Sequence, residues 1–216
     1  MFTGIIQEIG KVVHTHTVGG GISLVVDALR SSKELKVNDS VSINGVCQTV
    51  VAREGTTFKV IAVEETLAKT TLRELRAQSP VNIELPMQLG ERLGGHLVSG
   101  HVDAFGAIDS IERRETSWFF GISFPPEFRR YVIPVGSIAV DGVSLTVASV
   151  EGSMVGVSII PHTMENTIFA TYSLKSKVNL EFDLIGKYVQ QLVLSSTTKG
   201  SDSISRDQLR AWGYDV

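Results

Sequence analysis

The sequence predicts a mostly β protein: two tandem homologous six-stranded antiparallel, Greek-key-like barrels followed by a C-terminal helix. Three observations predict it. Sliding the chain by 97 positions superposes Ser40 on Ser137, Gly45 on Gly142, Val46 on Val143, Thr49 on Thr146 and Val50 on Val147, so a unit of whole-domain size occurs twice. Each copy carries short β-branched runs broken by turn signals about every 8 to 12 residues, the spacing of a small closed barrel. After Asp183 the repetition stops, and Ile185, Val189, Leu192 and Val193, with Tyr188 beside them, fall on one helical face. The expected divisions are residues 1–96, 97–184 and 185–216.

The elements follow in order. Met1 to Val13 alternates glycine with β-branched residues, and Gly19-Gly20-Gly21 then turns the chain into a buried strand at 22–26. Residues 41–43 and 46–51 flank Asn44-Gly45, a dipeptide suited to positive φ, and so form a hairpin. Glu54-Gly55 marks the next turn and 57–63 the next strand. Residues 65–76 read as a helix, because Leu67, Thr71, Leu72 and Leu75 recur at helical spacing and Thr66 can cap its start. Residues 81–85 close the half as a strand. The same shift carries this pattern through Glu151-Gly152, Thr163, Thr167, Val178-Asn179 and Glu181; at the start it is 96, placing Gly4 on Gly100 and Gly10 on Gly106. A helix over 185–194 belongs to neither barrel, and its short apolar stripe needs a surface such as the same helix of another subunit. The polar stretch 195–205 is expected to form no element, and 205–212 reads as a capped final helix.

Charge narrows the function. A net charge of -3 with no basic run argues against nucleic acid and anionic membrane as partners and leaves small molecules or protein. No window approaches the roughly 20 apolar residues of a membrane-spanning helix. Cys47 is the only cysteine, so no internal disulfide forms, which fits a reducing cytoplasm.

The chemistry-bearing residues fall at matched places. Cys47 answers to Ser144, and Glu64-Glu65-Thr66 to Pro161-His162-Thr163. His101 stands where the first copy has Ile5. An imidazole titrates near neutral pH and suits general acid-base work; a structural histidine bonded to backbone is the competing reading. His96 and His101 lack a third ligand at metal-binding spacing, so ligand counting argues against a metal site. Two pockets of one shape but unlike chemistry are what this repeat implies.

Met1-Phe2-Thr3-Gly4-Ile5, Asn44-Gly45-Val46-Cys47, the stretch from Gly94 to Asp103, Asp141-Gly142-Val143-Ser144-Leu145-Thr146-Val147 and Ile160-Pro161-His162-Thr163 together resemble the riboflavin synthase family, whose chains carry two lumazine-binding domains. The resemblance runs from Met1 to about Leu194. It implies dismutation of two molecules of 6,7-dimethyl-8-ribityllumazine, two per active site, to riboflavin and 5-amino-6-(D-ribitylamino)uracil, without a cofactor. It also implies a homotrimer whose active centres lie between the N-terminal barrel of one subunit and the C-terminal barrel of a neighbour; it carries no expectation about association with lumazine synthase. Position by position, one pocket would use Cys47, Gln48, Thr49, Ile61, Ala62, Val63, Glu64, Glu65 and Thr66. The other would use Ser144, Leu145, Thr146, Ser158, Ile159, Ile160, Pro161, His162 and Thr163. Gly4-Ile5-Ile6 and Gly100-His101-Val102 would complete them, with Phe2 helping to close the site. His101 would move protons, and Ser40, Cys47, Ser144 and Asp183 would surround the reacting centre. Two residues depart from the family pattern: Gln48 replaces a usual leucine, and Val135 a common lysine for which Arg129 or Arg130 would have to compensate. A non-catalytic lumazine or flavin carrier of antenna type is the alternative on the same scaffold.

Overall fold

Inward-facing residues on alternating strand positions build the first barrel from β1 (Glu8–Val18), β2 (Gly21–Asp27), β3 (Ser40–Ile43), β4 (Val46–Glu54), β5 (Thr57–Ala62) and β6 (Pro80–Glu84). The structure, a computed structural model, describes residues 1–198 together with Arg210, Trp212 and Gly213. The second barrel uses β7 (Ala104–Arg113), β8 (Trp118–Ser123), β9 (Ser137–Val140), β10 (Val143–Glu151), β11 (Met154–Ile159) and β12 (Lys177–Phe182). Both close in the same Greek-key order, β1-β2-β5-β4-β3-β6 and β7-β8-β11-β10-β9-β12, with every pairing antiparallel. Closure removes free sheet edges. Val12, Leu24, Val41, Ile43, Phe58 and Ile83 fill the first interior; Ile108, Phe120, Ile122, Ile138, Phe169 and Phe182 fill the second. Each such side chain contributes about 1.5–3 kcal/mol by leaving water.

The Asn44-Gly45 hairpin forms as its residues predict. Asn44 (φ 47°) and Gly45 (φ 76°) both take positive φ, as do Asp141 (φ 43°) and Gly142 (φ 80°) in the second copy. The helix expected over 65–76 is broken. It consists of α2 (Glu64–Lys69) and a separate 3-10 turn, Thr71–Glu74, because Thr70 is extended; its hydroxyl accepts from the Leu72 N–H and donates to the Thr66 carbonyl. Thr66 caps nothing, and Val63 precedes α2 without a side-chain bond. The second copy repeats the break between α3 (Pro161–Asn166) and Ile168–Thr171. A turn of helix that periodicity did not reveal, α1 (Ser31–Glu34), starts where Glu8 accepts from the Ser31 N–H and hydroxyl. The terminal helix, α4 (Leu184–Thr198), extends past the expected 185–194 into the polar stretch. The remainder of that stretch and most of the predicted final helix lie outside the described residues.

Buried asparagines dock the barrels. Asn82 donates from Nδ2 to the Asp141 carbonyl at 2.9 Å and accepts from the Ile168 N–H at 2.8 Å. Asn179, its counterpart, donates to the Asn44 carbonyl and accepts from the Thr71 N–H, both at 2.8 Å. Each amide thus finds its partners in the other barrel, as buried polar groups must.

Candidate functional site

The segments that lead into the barrels exchange places. Phe2 and Val98 form an antiparallel bridge, Phe2 N–H to Val98 O at 2.7 Å and the reverse at 3.1 Å. Beyond it, the Gly4 carbonyl accepts from the N–H of Ser144 in the second barrel, and the Gly100 carbonyl from the N–H of Cys47 in the first, each at 2.8 Å. Only glycine fits at these two points. Gly4 (φ 76°) and Gly100 (φ 80°) are left-handed, and a Cβ would lie 2.6 Å from the Cβ of Ser144 or Cys47. Further along, Ile6 packs on the second core and Val102 on the first.

Two cavities result, each built from both copies. One, about 200 Å³, is lined by Cys47, Glu65, Thr66 and Lys69 of the first barrel with Gly100, His101 and Val102. The other, about 130 Å³, brings Ser144, His162, Thr163 and Asn166 together with Gly4, Ile5 and Ile6. His101, a residue of the second copy by sequence, therefore lines the first barrel's cavity, and Ile5 lines the second's. Sequence spacing carried no sign of this exchange.

His96, weighed in the sequence only as a metal ligand, lies against Ser144 of the second cavity's lining. Its N–H donates to the Thr3 carbonyl, and its Nδ1 lies 2.7 Å from the Ser144 hydroxyl. Burial pushes its pKa below the ordinary value, partly opposed by the charge of Asp183. A neutral ring paired with Ser144 follows, and its Nε2 is buried without a hydrogen bond. The signal available in sequence was its place after Gly94-Gly95: a Cβ on Gly95 would meet the Thr3 carbonyl at 2.1 Å and Ser144 at 2.8 Å, so this stretch lies against the crossing.

Other sequence candidates are placed elsewhere. Phe2 is fully buried with Val98, Ala139 and Cys47, beneath the crossing rather than over a cavity. Ala62 and Ile159 point into the cores, whereas Ile61, Val63, Ile160 and Ser158 are exposed. Ser40 pairs with Thr49 in the β3–β4 ladder, and Leu145 leans on the second core. Thr146, its neighbour, is exposed and pairs with Ser137. Gln48, buried, donates to the Cys47 carbonyl while its Oε1 stays unpaired. Glu64 folds against Gly20, and Asp183 accepts from the Ile185 N–H at the start of α4. Val135 sits on an exposed turn, Arg129 donates to the Val132 carbonyl, and Arg130 lies over the Tyr131 ring. Neither arginine lines either cavity.

The comparisons with known proteins agree with this duplicated architecture. A match to the lumazine binding domain family covers residues 3–86 and 99–183. The chain is 39% identical over 215 residues to a riboflavin synthase of Actinobacillus pleuropneumoniae, covering 99% of this chain and 100% of that protein. It is 37% identical over 215 residues to a riboflavin synthase of Bacillus subtilis, with 99% and 100% covered. Among solved structures it is similar in fold to LumP complexed with 6,7-dimethyl-8-(1'-D-ribityl) lumazine, with a TM-score of 0.77 and 21% identity over 84% of this chain and 98% of that one.

Proposed function

The chain belongs to the riboflavin synthase family, and from that premise we propose that it converts two molecules of 6,7-dimethyl-8-ribityllumazine into riboflavin and 5-amino-6-(D-ribitylamino)uracil. One substrate donates a four-carbon unit and the other accepts it. The products together contain all the atoms of two substrates, so the reaction needs no external oxidant and no cofactor.

The observation that carries this reading is the pair of matched cavities with unlike linings, Cys47 and His101 in one, Ser144 and Ile5 in the other. A reaction in which two copies of one molecule play different parts suits such a pair. The chemistry requires proton removal from a ring methyl, a nucleophile added to the partner ring, and two planar heterocycles held in reach. Good orientation alone can contribute about 7 to 11 kcal/mol. His101 is the acid-base group of the first cavity, where Cys47 lies beside it, and Ser144 is the hydroxyl of the second; Ser40 and Asp183 line neither. The exposed apolar side chains of α4, Ile185, Tyr188, Val189 and Leu192, support a homotrimer in which cavities of neighbouring subunits face each other. Among the described residues no helix is long and apolar enough to cross a membrane, and a cytoplasmic site of action fits the single cysteine. The carrier alternative has only a likeness of fold behind it, at 21% identity.

Incubating the purified chain with 6,7-dimethyl-8-ribityllumazine is expected to yield one riboflavin for every two substrates consumed. A chain that binds the lumazine and forms no riboflavin would overturn the enzyme reading in favour of a carrier.

A further inference from the structure

The crossing segment of the second copy is tied down by a group that the first copy lacks. Glu84 on β6 and Glu181 on β12 hold matching positions and are buried, 2% and 3% exposed. Glu84 accepts from the Thr3 N–H (2.7 Å), the Thr3 hydroxyl (2.8 Å) and the Gly4 N–H (3.1 Å). Glu181 accepts from the Ser99 N–H (2.6 Å), the Ser99 hydroxyl (2.7 Å) and the Gly100 N–H (2.9 Å). A few residues on, Gln7 accepts from the Leu85 N–H in the first copy. The matching Asp103 accepts from the Phe182 N–H and also forms an ion pair of 2.6 Å with Lys187 of α4. Between these two anchors stands His101, whose N–H donates to the Ser99 hydroxyl. Its side chain is exposed at the cavity, so the backbone that carries it sets its place.

We infer that Glu181 is a positioning residue for the reaction: by holding Ser99 and Gly100 it keeps His101 beside Cys47 in the first barrel's cavity, while the Asp103–Lys187 pair fixes the other end to α4. The inference rests on reading the chain as a riboflavin synthase. Its physical basis is that an acid-base group works only if a supporting shell holds its geometry, and that a displacement of about 1 Å can cost about a hundredfold in rate.

Steady-state kinetics on Glu181→Gln, His101→Gln and the double variant tests it. In Glu181→Gln an amide nitrogen or a poorly placed oxygen must face the Gly100 N–H, since one of the two acceptor oxygens is gone. The expected result is a kcat lowered about tenfold to a hundredfold with KM changed less than about threefold. The double variant is expected to be no slower than His101→Gln, because a misplaced imidazole and a missing one are the same loss. Glu84→Gln removes the equivalent clamp from the crossing that carries Ile5, and its loss is expected to multiply with that of His101→Gln. Should Glu181→Gln not fold, Ser99→Ala, which removes one of the three donors at a half-buried position, is expected to give a smaller kcat loss that likewise vanishes in the His101→Gln background. Multiplied losses for Glu181→Gln, or for Ser99→Ala in its place, or an unchanged kcat, in an active parent chain overturn this inference alone; a parent chain that forms no riboflavin overturns the functional reading and this inference with it.

Discussion

At the residue scale, backbone sign is conserved between the copies where side-chain identity is not. Asn38 and Val135 occupy matching positions and both are left-handed, with φ 77° and 62°. Asparagine tolerates that conformation; a β-branched side chain there is strained. Val135 is 82% exposed, so it recovers nothing by packing. Val135→Asn is expected to stabilise the fold by about 1 kcal/mol, seen as a rise of about 2–4 °C in Tm. Destabilisation, or no change, in a calorimetric scan would mean that the turn relaxes the strain in another way. The Val135 side chain springs from a strained, solvent-facing turn.

At the element scale, α4 meets the second barrel through the Lys187–Asp103 ion pair and through Gly186, which lies close to Ile133. Ile185, Tyr188, Val189 and Leu192 are 60%, 66%, 54% and 70% exposed. A helix of this amphipathic kind keeps its shape by covering its apolar side chains. In the proposed trimer, Leu192→Lys is therefore expected to shift the native mass from three chains toward one and to lower riboflavin formation with it; an intact trimer in native mass measurement would show that another surface joins the subunits. Strands, hairpin and repeat were legible because period-two patterning and the Asn-Gly turn are local signals. The break in the 65–76 helix was not, since Leu72 and Leu75 keep helical spacing across it and the hydroxyl of Thr70 decides the break. Nor was the exchange of leader segments, which depends on contacts between residues such as Gly4 and Ser144 that no local pattern records.

At the scale of the whole molecule, the junction between barrels holds an ionisable pair that the first copy lacks. Asn44 and Asp141 are counterparts; Asp141 is buried, accepts from the Asn179 N–H at 2.8 Å and receives the Tyr172 hydroxyl, where the first copy has Leu75. Burial pushes the Asp141 carboxyl up to about 7, against the bonds from Tyr172 and Asn179. The folded chain therefore keeps a proton that the unfolded chain loses near 3.8, and this group's contribution to stability falls as pH rises from about 4 to about 7. Asp141→Asn, which restores the first copy's residue, is expected to flatten that decline in urea midpoints measured across the window. An unchanged slope would place the pH dependence on other groups, such as Glu84 and Glu181, which burial also raises despite the bonds they accept.

The exchanged leaders impose a timetable on synthesis. A growing chain meets the parts of its first cavity early, since Cys47 waits only for Gly100. The second cavity is different, because part of its wall is made ahead of the barrel it serves: Gly4 leaves the ribosome before the first barrel and has to remain available until Ser144 arrives. With N-terminal domains folding ahead of later ones, the segment around Gly4 is held in reserve while the barrel behind it closes. The second cavity is thus the last part of the barrel pair to be finished, and it is finished by residues made before either barrel.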